Sequence, residues 1–253
     1  MELNEENLTA IITTLRHGEK DDDGKLTLNG FFQGSTKGKD TRHLKGDIVL
    51  IHSGVERVKD TLISFANYLV QREVAISDDF IKNLHTYNSY ISHYLQYLYD
   101  SNNKGETFKD WDERISSESG VQYANDFLNL RDKSTEPEIF PSPRQMAIRV
   151  ARVIATEIDF ATITIPEVRT NFVNGTHEPI VMAFLYYFLQ DFEPKSFNFI
   201  ENIGGRIGYS EGFEVRIYQD LKGDNKVIFK FRDFTKEIDQ VKLKAFCLSE
   251  KVR

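Results

Sequence analysis

Three short segments of the sequence place arginine and histidine side chains where they could bind an anion. The first is the triplet Arg16-His17-Gly18, the second contains Arg57, and the third contains His177. Guanidinium groups form paired hydrogen bonds with phosphate oxygens, and a neutral imidazole is a nucleophile near neutral pH. The three segments together predict a site for a tetrahedral dianion.

Each of these segments follows a predicted strand. Residues 9–15 are rich in β-branched residues, residues 47–53 contain a continuous apolar run typical of a buried strand, and residues 169–175 are predicted to be a short strand. Ligands of open α/β sheets bind outside the carboxyl ends of the strands, which is where the three segments would lie. A helix that begins near Pro179 would add oriented N–H groups and partial positive charge.

Helical patterns alternate with these strands. The apolar spacing predicts an amphipathic helix within residues 55–72, and a second helix begins at Ser142 and Pro143, which are typical cap and first-turn residues. A third, apolar helix follows His177. Two alternating runs near the C-terminal end predict a β-hairpin, and residues 77–141 are predicted to be a helical insertion that forms a cap. The expected fold is a single-domain, three-layer α/β/α sandwich with a mostly parallel sheet.

An acidic loop after the first predicted strand has part of the residue spacing of a metal-binding loop. Glu19, Asp21, Asp23 and Gly24 have the spacing of the first half of a calcium-binding loop. The last ligand position falls on Gly30, which has no carboxylate. We therefore predict a solvated loop, with no metal.

Composition limits the classes of partner. The net charge of −7 over 253 residues disfavours nucleic acids and anionic membranes, because both select basic surfaces. The longest apolar run is too short to span a bilayer. The single cysteine, Cys247, excludes an intramolecular disulfide, and the N-terminal segment has no apolar signal region. These features predict a cytoplasmic protein.

Several motifs occur in a characteristic order. "LRHGEK" is followed by "LTLNGFFQ" at residues 26–33, by Ser53, Arg57 and Thr61 at a regular spacing, by "PRQMAIRVARV", and by "GTHEPI". Together they resemble the histidine phosphatase superfamily, also called phosphoglycerate mutase-like. The resemblance extends over most of the chain, except for residues 77–141 and the C-terminal tail.

The resemblance implies a metal-independent phosphomonoesterase of the histidine acid phosphatase type, with no cofactor and with a small phosphorylated substrate. His17 would be the nucleophile and form a phosphohistidine, which water then hydrolyses. Arg16, Arg57 and His177 would bind the phosphoryl oxygens. The remaining implied residues are the catalytic candidate Glu178 and the substrate-binding candidates Gly18, Glu19, Gln33 and Thr176.

The sequence also departs from the family pattern. The middle region has no Glu-Arg-His-Tyr-Gly segment, and His85 stands where many phosphatases carry an acid, which argues against mutase activity. A leaving alkoxide needs a proton, so the general acid stays open among Glu178, Glu19 and the insertion residues Asp110, Glu113 and Glu118. Two further interpretations remain: a phosphohistidine phosphatase, and a catalytically inactive phosphate-binding module.

Overall fold

The structure is a computed structural model that describes residues 3, 6–40, 46–66, 74–76, 120–133, 141–163, 169–195, 198–220 and 222–249. Most of the predicted insertion at residues 77–141 lies outside these ranges. The cap, and with it the single-domain organisation, therefore stays a prediction.

One mixed sheet organises the described part of the chain. Its order is β3-β2-β4-β1-β5-β6-β7, in which β3, β2, β4 and β1 are parallel and β5, β6 and β7 are antiparallel. The predicted hairpin is present as β5 and β6, and it extends the main sheet because β5 pairs with β1. The strands are β1 (Leu8–Arg16), β2 (Asp47–His52), β3 (Val74–Ile76), β4 (Thr170–Thr176), β5 (Gly212–Gln219), β6 (Asn225–Phe231) and β7 (Phe234–Glu237).

Helices cover both faces of the sheet, which confirms the α/β fold. Successive side chains of β1 point to opposite faces: Ile11 belongs to an apolar cluster with Leu62 and Phe65, and Ile12 to a larger cluster that includes Ile154 and Phe184. None of the described helices is long and apolar enough to cross a membrane. The helices are α1 (Leu28–Asp40), α2 (Glu56–Ala66), α3 (Gly120–Asn129), α4 (Pro143–Ile163), α5 (Glu178–Phe188), α6 (Phe199–Asn202) and α7 (Gln240–Leu248).

Helix α4 begins as its sequence predicts. The Ser142 hydroxyl accepts a hydrogen bond from the Gln145 N–H, and the Gln145 side chain accepts one from the Ser142 N–H. This reciprocal capping box satisfies two N–H groups that the helix itself leaves unpaired.

Helix α1 was not predicted, because it contains three glycines, which lower helix propensity. The glycines are spaced four apart, so they form one buried stripe along the helix. A Cβ on Gly34 would collide with the Ser64 hydroxyl, and a Cβ on Gly38 would collide with the backbone of Phe65. The stripe therefore allows α1 to pack closely against α2, and this contact compensates for the low propensity.

Candidate active site

Three strand ends meet at one edge of the sheet. In the parallel pairing of β1 with β4, Arg16 lies opposite Thr176, and in the pairing of β4 with β2, Gly175 lies opposite His52. The residues that follow these strands therefore emerge side by side. The ring centroids of His17 and His177 are 5.2 Å apart.

Hydrogen bonds fix the His17 imidazole at both nitrogens. Its Nδ1 lies 2.6 Å from the Gly18 carbonyl oxygen, which can only accept, and the Arg57 Nε donates to its Nε2 at 3.3 Å. The proton is therefore on Nδ1, and the Nε2 lone pair faces the Arg57 guanidinium. Burial lowers the pKa of His17 to about 3, and the neighbouring cations Arg57, Arg16 and Lys20 act in the same direction. The imidazole is neutral at physiological pH.

His177 is also buried and neutral. Its Nε2 lies 3.2 Å from the Ser53 hydroxyl, which is completely buried. Burial lowers the pKa of His177 well below its usual value, and His17, Arg57 and Arg16 lower it further. The charged side chains that shift the pKa of the two histidines are thus cations, and the local field favours an anion.

Arg16 and Arg57 supply the guanidinium groups. Arg16 donates to the Ile207 carbonyl at 2.6 Å, whereas its Nε is buried and has no hydrogen-bond partner among the described residues. The Arg57 Nη1 reaches the Gly24 carbonyl at 3.4 Å. A buried N–H without an acceptor is rare in folded proteins, and a phosphoryl oxygen would provide one for Arg16.

Glu178 is held by two arginines. The Arg206 guanidinium donates to both carboxylate oxygens at 2.7 Å each, and Arg16 approaches one of them at 3.0 Å. The Glu178 side chain is nearly inaccessible to solvent. A carboxylate held by two guanidinium groups positions Arg16, so the arrangement favours a positioning role for Glu178 over the general-acid interpretation.

The predicted substrate-binding residues lie around the backbone that follows the nucleophile. The Gly18 N–H donates to the Thr61 hydroxyl at 3.0 Å, and the Glu19 N–H donates to the Gln33 side chain at 2.9 Å. A Cβ on Gly18 would collide with the Gly30 carbonyl, which explains why glycine is needed there. Thr176 is buried, and its hydroxyl has no hydrogen-bond partner among the described residues.

The acidic loop folds back toward the site in a tight turn. The Asp21 carboxylate accepts a hydrogen bond from the Lys25 N–H, and Gly24 has the positive φ of +77° that glycine adopts without strain. The Glu19 carboxylate accepts hydrogen bonds from Thr27 and Asn29. Within the described ranges, no cluster of three or more His, Cys, Asp or Glu side chains is arranged to hold a metal ion.

Tyr209 and Arg206, which lie in the loop before the hairpin, were not predicted as site residues. The Tyr209 ring lies 4.0 Å from the Arg16 guanidinium carbon and 6.2 Å from the His17 ring. Arg232 fixes this loop by donating to the Ile203, Gly205 and Arg206 carbonyls and to the Glu211 carboxylate. No local signal in the sequence marks Tyr209, because its position depends on the pairing of Leu15 with Gly212, which brings the start of β5 to the carboxyl end of β1.

Comparison with solved structures identifies the fold. The chain is similar to a mycobacterial glucosyl-3-phosphoglycerate phosphatase in complex with VO3, with a TM-score of 0.50 and 12% sequence identity over 88% of this chain and 98% of that chain. The fold is that of the histidine phosphatases. No protein-family model matches the sequence, and no curated protein matches it.

Two other phosphatase structures cover the chain to a similar extent. A phosphoserine phosphatase from Entamoeba histolytica, in complex with 3-phosphoglyceric acid, has a TM-score of 0.46 and 15% identity over 92% of this chain and 99% of that chain. A putative phosphohistidine phosphatase from Agrobacterium tumefaciens has a TM-score of 0.37 and 12% identity over 90% of this chain and 96% of that chain.

Proposed function

We propose that the chain is a metal-independent phosphomonoesterase that acts through a phosphohistidine on His17. The observation that carries this proposal is the state of the His17 imidazole, which is neutral and has its Nε2 lone pair directed at the Arg57 guanidinium. A phosphoryl oxygen that accepts the Arg57 Nε–H would replace the hydrogen bond to Nε2, which frees the lone pair of the nucleophile and brings phosphorus close to it.

The reaction follows from this geometry in two steps. The Nε2 of His17 attacks phosphorus, a P–N bond forms, and the P–O bond to the alcohol breaks. Water then attacks the phosphohistidine, which releases inorganic phosphate and returns the neutral imidazole. Arg16, Arg57 and His177 bind the equatorial oxygens in both steps, because phosphoryl transfer depends chiefly on positioning and on charge stabilisation. The arginines supply the positive charge that a metal ion supplies in other phosphatases.

The proton donor for the leaving group is not Glu178 in this proposal. Glu178 holds Arg16 and Arg206, and the Glu19 carboxylate is engaged by Thr27 and Asn29. Asp110, Glu113 and Glu118 lie outside the described residues and stay candidates.

The engagement of both described acids favours a second candidate, a phosphohistidine phosphatase. In that reaction the bond that breaks is P–N, and the family resemblance implies that no acid beside the second histidine is needed. The nucleophile and the phosphate-binding residues would be the same. The two candidates therefore differ only in the leaving group.

Hydrolysis of an aryl phosphate and of an alkyl phosphate by the purified chain tests the proposal. The aryl leaving group departs without protonation, so its turnover reports on His17 and the arginines, whereas the alkyl phosphate also needs the general acid. We expect His17→Ala to abolish turnover of both while phosphate still stabilises the protein against heat. Turnover that survives His17→Ala would refute the mechanism. Phosphate binding with no turnover of either ester, or of a phosphohistidine peptide, would identify a binding module.

A further inference from the structure

A cleft of about 340 Å³ opens beside the site, between one face of α1 and residues Tyr209 and Ser210. Its volume is within the range of small-molecule sites, about 300–1,000 Å³. The wall from α1 contains Asn29, Phe32, Gln33 and Thr36, which recur at helical spacing and therefore share one face.

The cleft adjoins the pocket that contains His17. Tyr209 lines the cleft, and its ring centroid lies 4.0 Å from the guanidinium carbon of Arg16. The Ser210 N–H donates to the His17 carbonyl at 3.3 Å, and Gln33 binds the Glu19 N–H. Two residues that line the cleft therefore contact the main chain of the segment that carries the nucleophile.

The lining combines aromatic faces with uncharged polar groups. Phe32 is 59% exposed and Tyr209 is 37% exposed, so both rings are accessible to a ligand. Asn29 and Gln33 each use part of their amide group to bind Glu19, and the rest of these amides and the Thr36 hydroxyl can donate or accept further hydrogen bonds. The aromatic side chains can pack against a ring of the ligand, and groups that both donate and accept hydrogen bonds can bind the hydroxyls of the ligand.

The charge of the cleft argues against a second anionic group on the ligand. Among the described residues of the lining, Lys37 and Asp40 are charged, one of each sign. A second phosphate or carboxylate would meet Asp40 as well as Lys37 and would gain little net attraction. The cleft therefore differs from the pocket around His17 and His177, where the Arg16 and Arg57 guanidinium groups lie beside the two imidazoles.

We propose that this cleft binds the alcohol portion of the substrate and that this portion is a neutral, hydroxylated ring, as in a sugar monophosphate. The inference rests on the proposed function, because it places the phosphoryl group at His17. Phe32 and Tyr209 contact the faces of the ring, and the α1 amides contact its hydroxyls.

The test compares a hexose 6-phosphate with acetyl phosphate, which has no ring and needs no protonation of its leaving group. For Phe32→Ala we expect the ratio of the two kcat/KM values, hexose 6-phosphate over acetyl phosphate, to fall about tenfold. Phe31→Ala is the matched control, because Phe31 is the neighbouring exposed ring of α1 and does not line the cleft. Its ratio should equal that of the wild type.

Three results would overturn the inference: an unchanged ratio in Phe32→Ala, an equal fall in Phe31→Ala, or faster hydrolysis of 3-phosphoglycerate or a nucleoside monophosphate than of the hexose 6-phosphate. No hydrolysis of acetyl phosphate would instead refute the proposed function.

The cleft is then tested by calorimetric binding of the hexose 6-phosphate. Weaker binding to Phe32→Ala than to Phe31→Ala supports the cleft, and equal or absent binding refutes it.

Discussion

Two regions along β4 bury ionisable groups in different ways. The strand-end pocket, defined by Arg16, His17, Arg57 and His177, lies at the carboxyl end of the strand. The polar cluster, defined by Thr14, Glu157 and Asn174, lies beside its middle: the Asn174 amide donates to the Glu157 carboxyl at 3.0 Å and lies 3.4 Å from the Thr14 hydroxyl.

Burial favours the neutral form of a group in both regions, but with opposite consequences. It raises the pKa of Glu157 to about 8, against the smaller opposing effect of the Asn174 hydrogen bond, and it lowers the pKa of His17 to about 3. In the polar cluster the result is a neutral acid with no cation among its hydrogen-bond partners. In the pocket the result is neutral imidazoles between charged guanidinium groups. Of these two regions, only the strand-end pocket contains positive charges that a bound anion would neutralise.

The two regions should therefore give stability opposite dependences on pH. His17 has an ordinary pKa of 6.5 when unfolded and a lower one when folded, so its contribution is complete above pH 6.5 and is lost as the pH falls toward 3. His177 acts in the same direction. Glu157 has a pKa of 4.5 when unfolded and about 8 when folded, so its contribution is complete below pH 4.5 and is lost as the pH rises through 8.

The largest expected effect comes from Glu178→Ala, which would leave the pocket with unpaired charge. Arg16 and Arg206 would lose their carboxylate, and removing one partner of a buried ion pair costs about 3–5 kcal/mol. Urea unfolding measures this loss. Glu193→Ala is the control, because Glu193 pairs with Lys195 at the surface and should change the free energy of unfolding by less than about 0.5 kcal/mol.

A second substitution at this position distinguishes a role of Glu178 in positioning Arg16 from a role as the general acid. In Glu178→Gln, we expect turnover of aryl and alkyl phosphates to fall by the same factor, because Arg16 loses its charged partner in both reactions. A fall that is confined to the alkyl phosphate would restore Glu178 as the general acid.

Arg57→Ala should come second, because it removes the guanidinium that faces the nucleophile. We expect kcat for an aryl phosphate to fall about 10²–10³-fold, the usual effect of deleting one donor to a developing charge. Lys59→Ala, on the exposed side of the same helix, should retain wild-type turnover. Equal turnover in the two variants would show that Arg57 does not act on the phosphoryl group.

Glu157→Gln should change the polar cluster and leave the pocket intact. Between about pH 5 and pH 9 we expect the free energy of unfolding of the wild type to fall by on the order of 3 kcal/mol because of this group. In Glu157→Gln this part of the pH dependence should be absent. Glu237→Gln, which alters an exposed carboxylate on β7, should keep the wild-type slope. An identical slope in Glu157→Gln would mean that Glu157 is ionised when folded. The acid-side loss due to His17 should persist in all three proteins.

The smallest effect is expected from Thr61→Val, because it removes two hydrogen bonds between uncharged groups and leaves every charge of the pocket in place. The buried Thr61 hydroxyl accepts from the Gly18 N–H and donates to the Arg57 carbonyl, and its removal should cost about 1–2 kcal/mol and lower aryl phosphate turnover about tenfold or less. Thr61→Ser keeps the hydroxyl and serves as the control. A Val variant as active as the Ser variant would show that the hydrogen bond does not position His17.

Some of the elements that form the strand-end pocket could be predicted from local sequence signals. The strands β1, β2 and β4 and the helix starts at Ser142 and His177 depend on local signals, namely apolar runs, a capping box and a proline in a first turn. Because parallel strands end at a common edge, these local signals were sufficient to bring the two arginines and two histidines together.

The remaining features depend on contacts between distant segments. Helix α1 forms although its glycines disfavour it, because those glycines contact α2. Glu178 adjoins His177 in sequence, but its main partner Arg206 arrives with the loop before β5. Tyr209 reaches Arg16 because β5 pairs with β1. Strand β7 is short and mostly exposed, so it has no apolar alternation to predict it.

The most direct test of the central claim is chemical trapping of the phosphoenzyme. The purified chain is mixed with an aryl phosphate that carries a radiolabelled phosphoryl group, quenched in alkali within one turnover, and digested for mass spectrometry. We predict a phosphoryl group on His17 that is stable in alkali, is lost in acid, and is absent from His17→Ala. A phosphoryl group on another residue, or multiple turnovers with no covalent intermediate, would contradict the account.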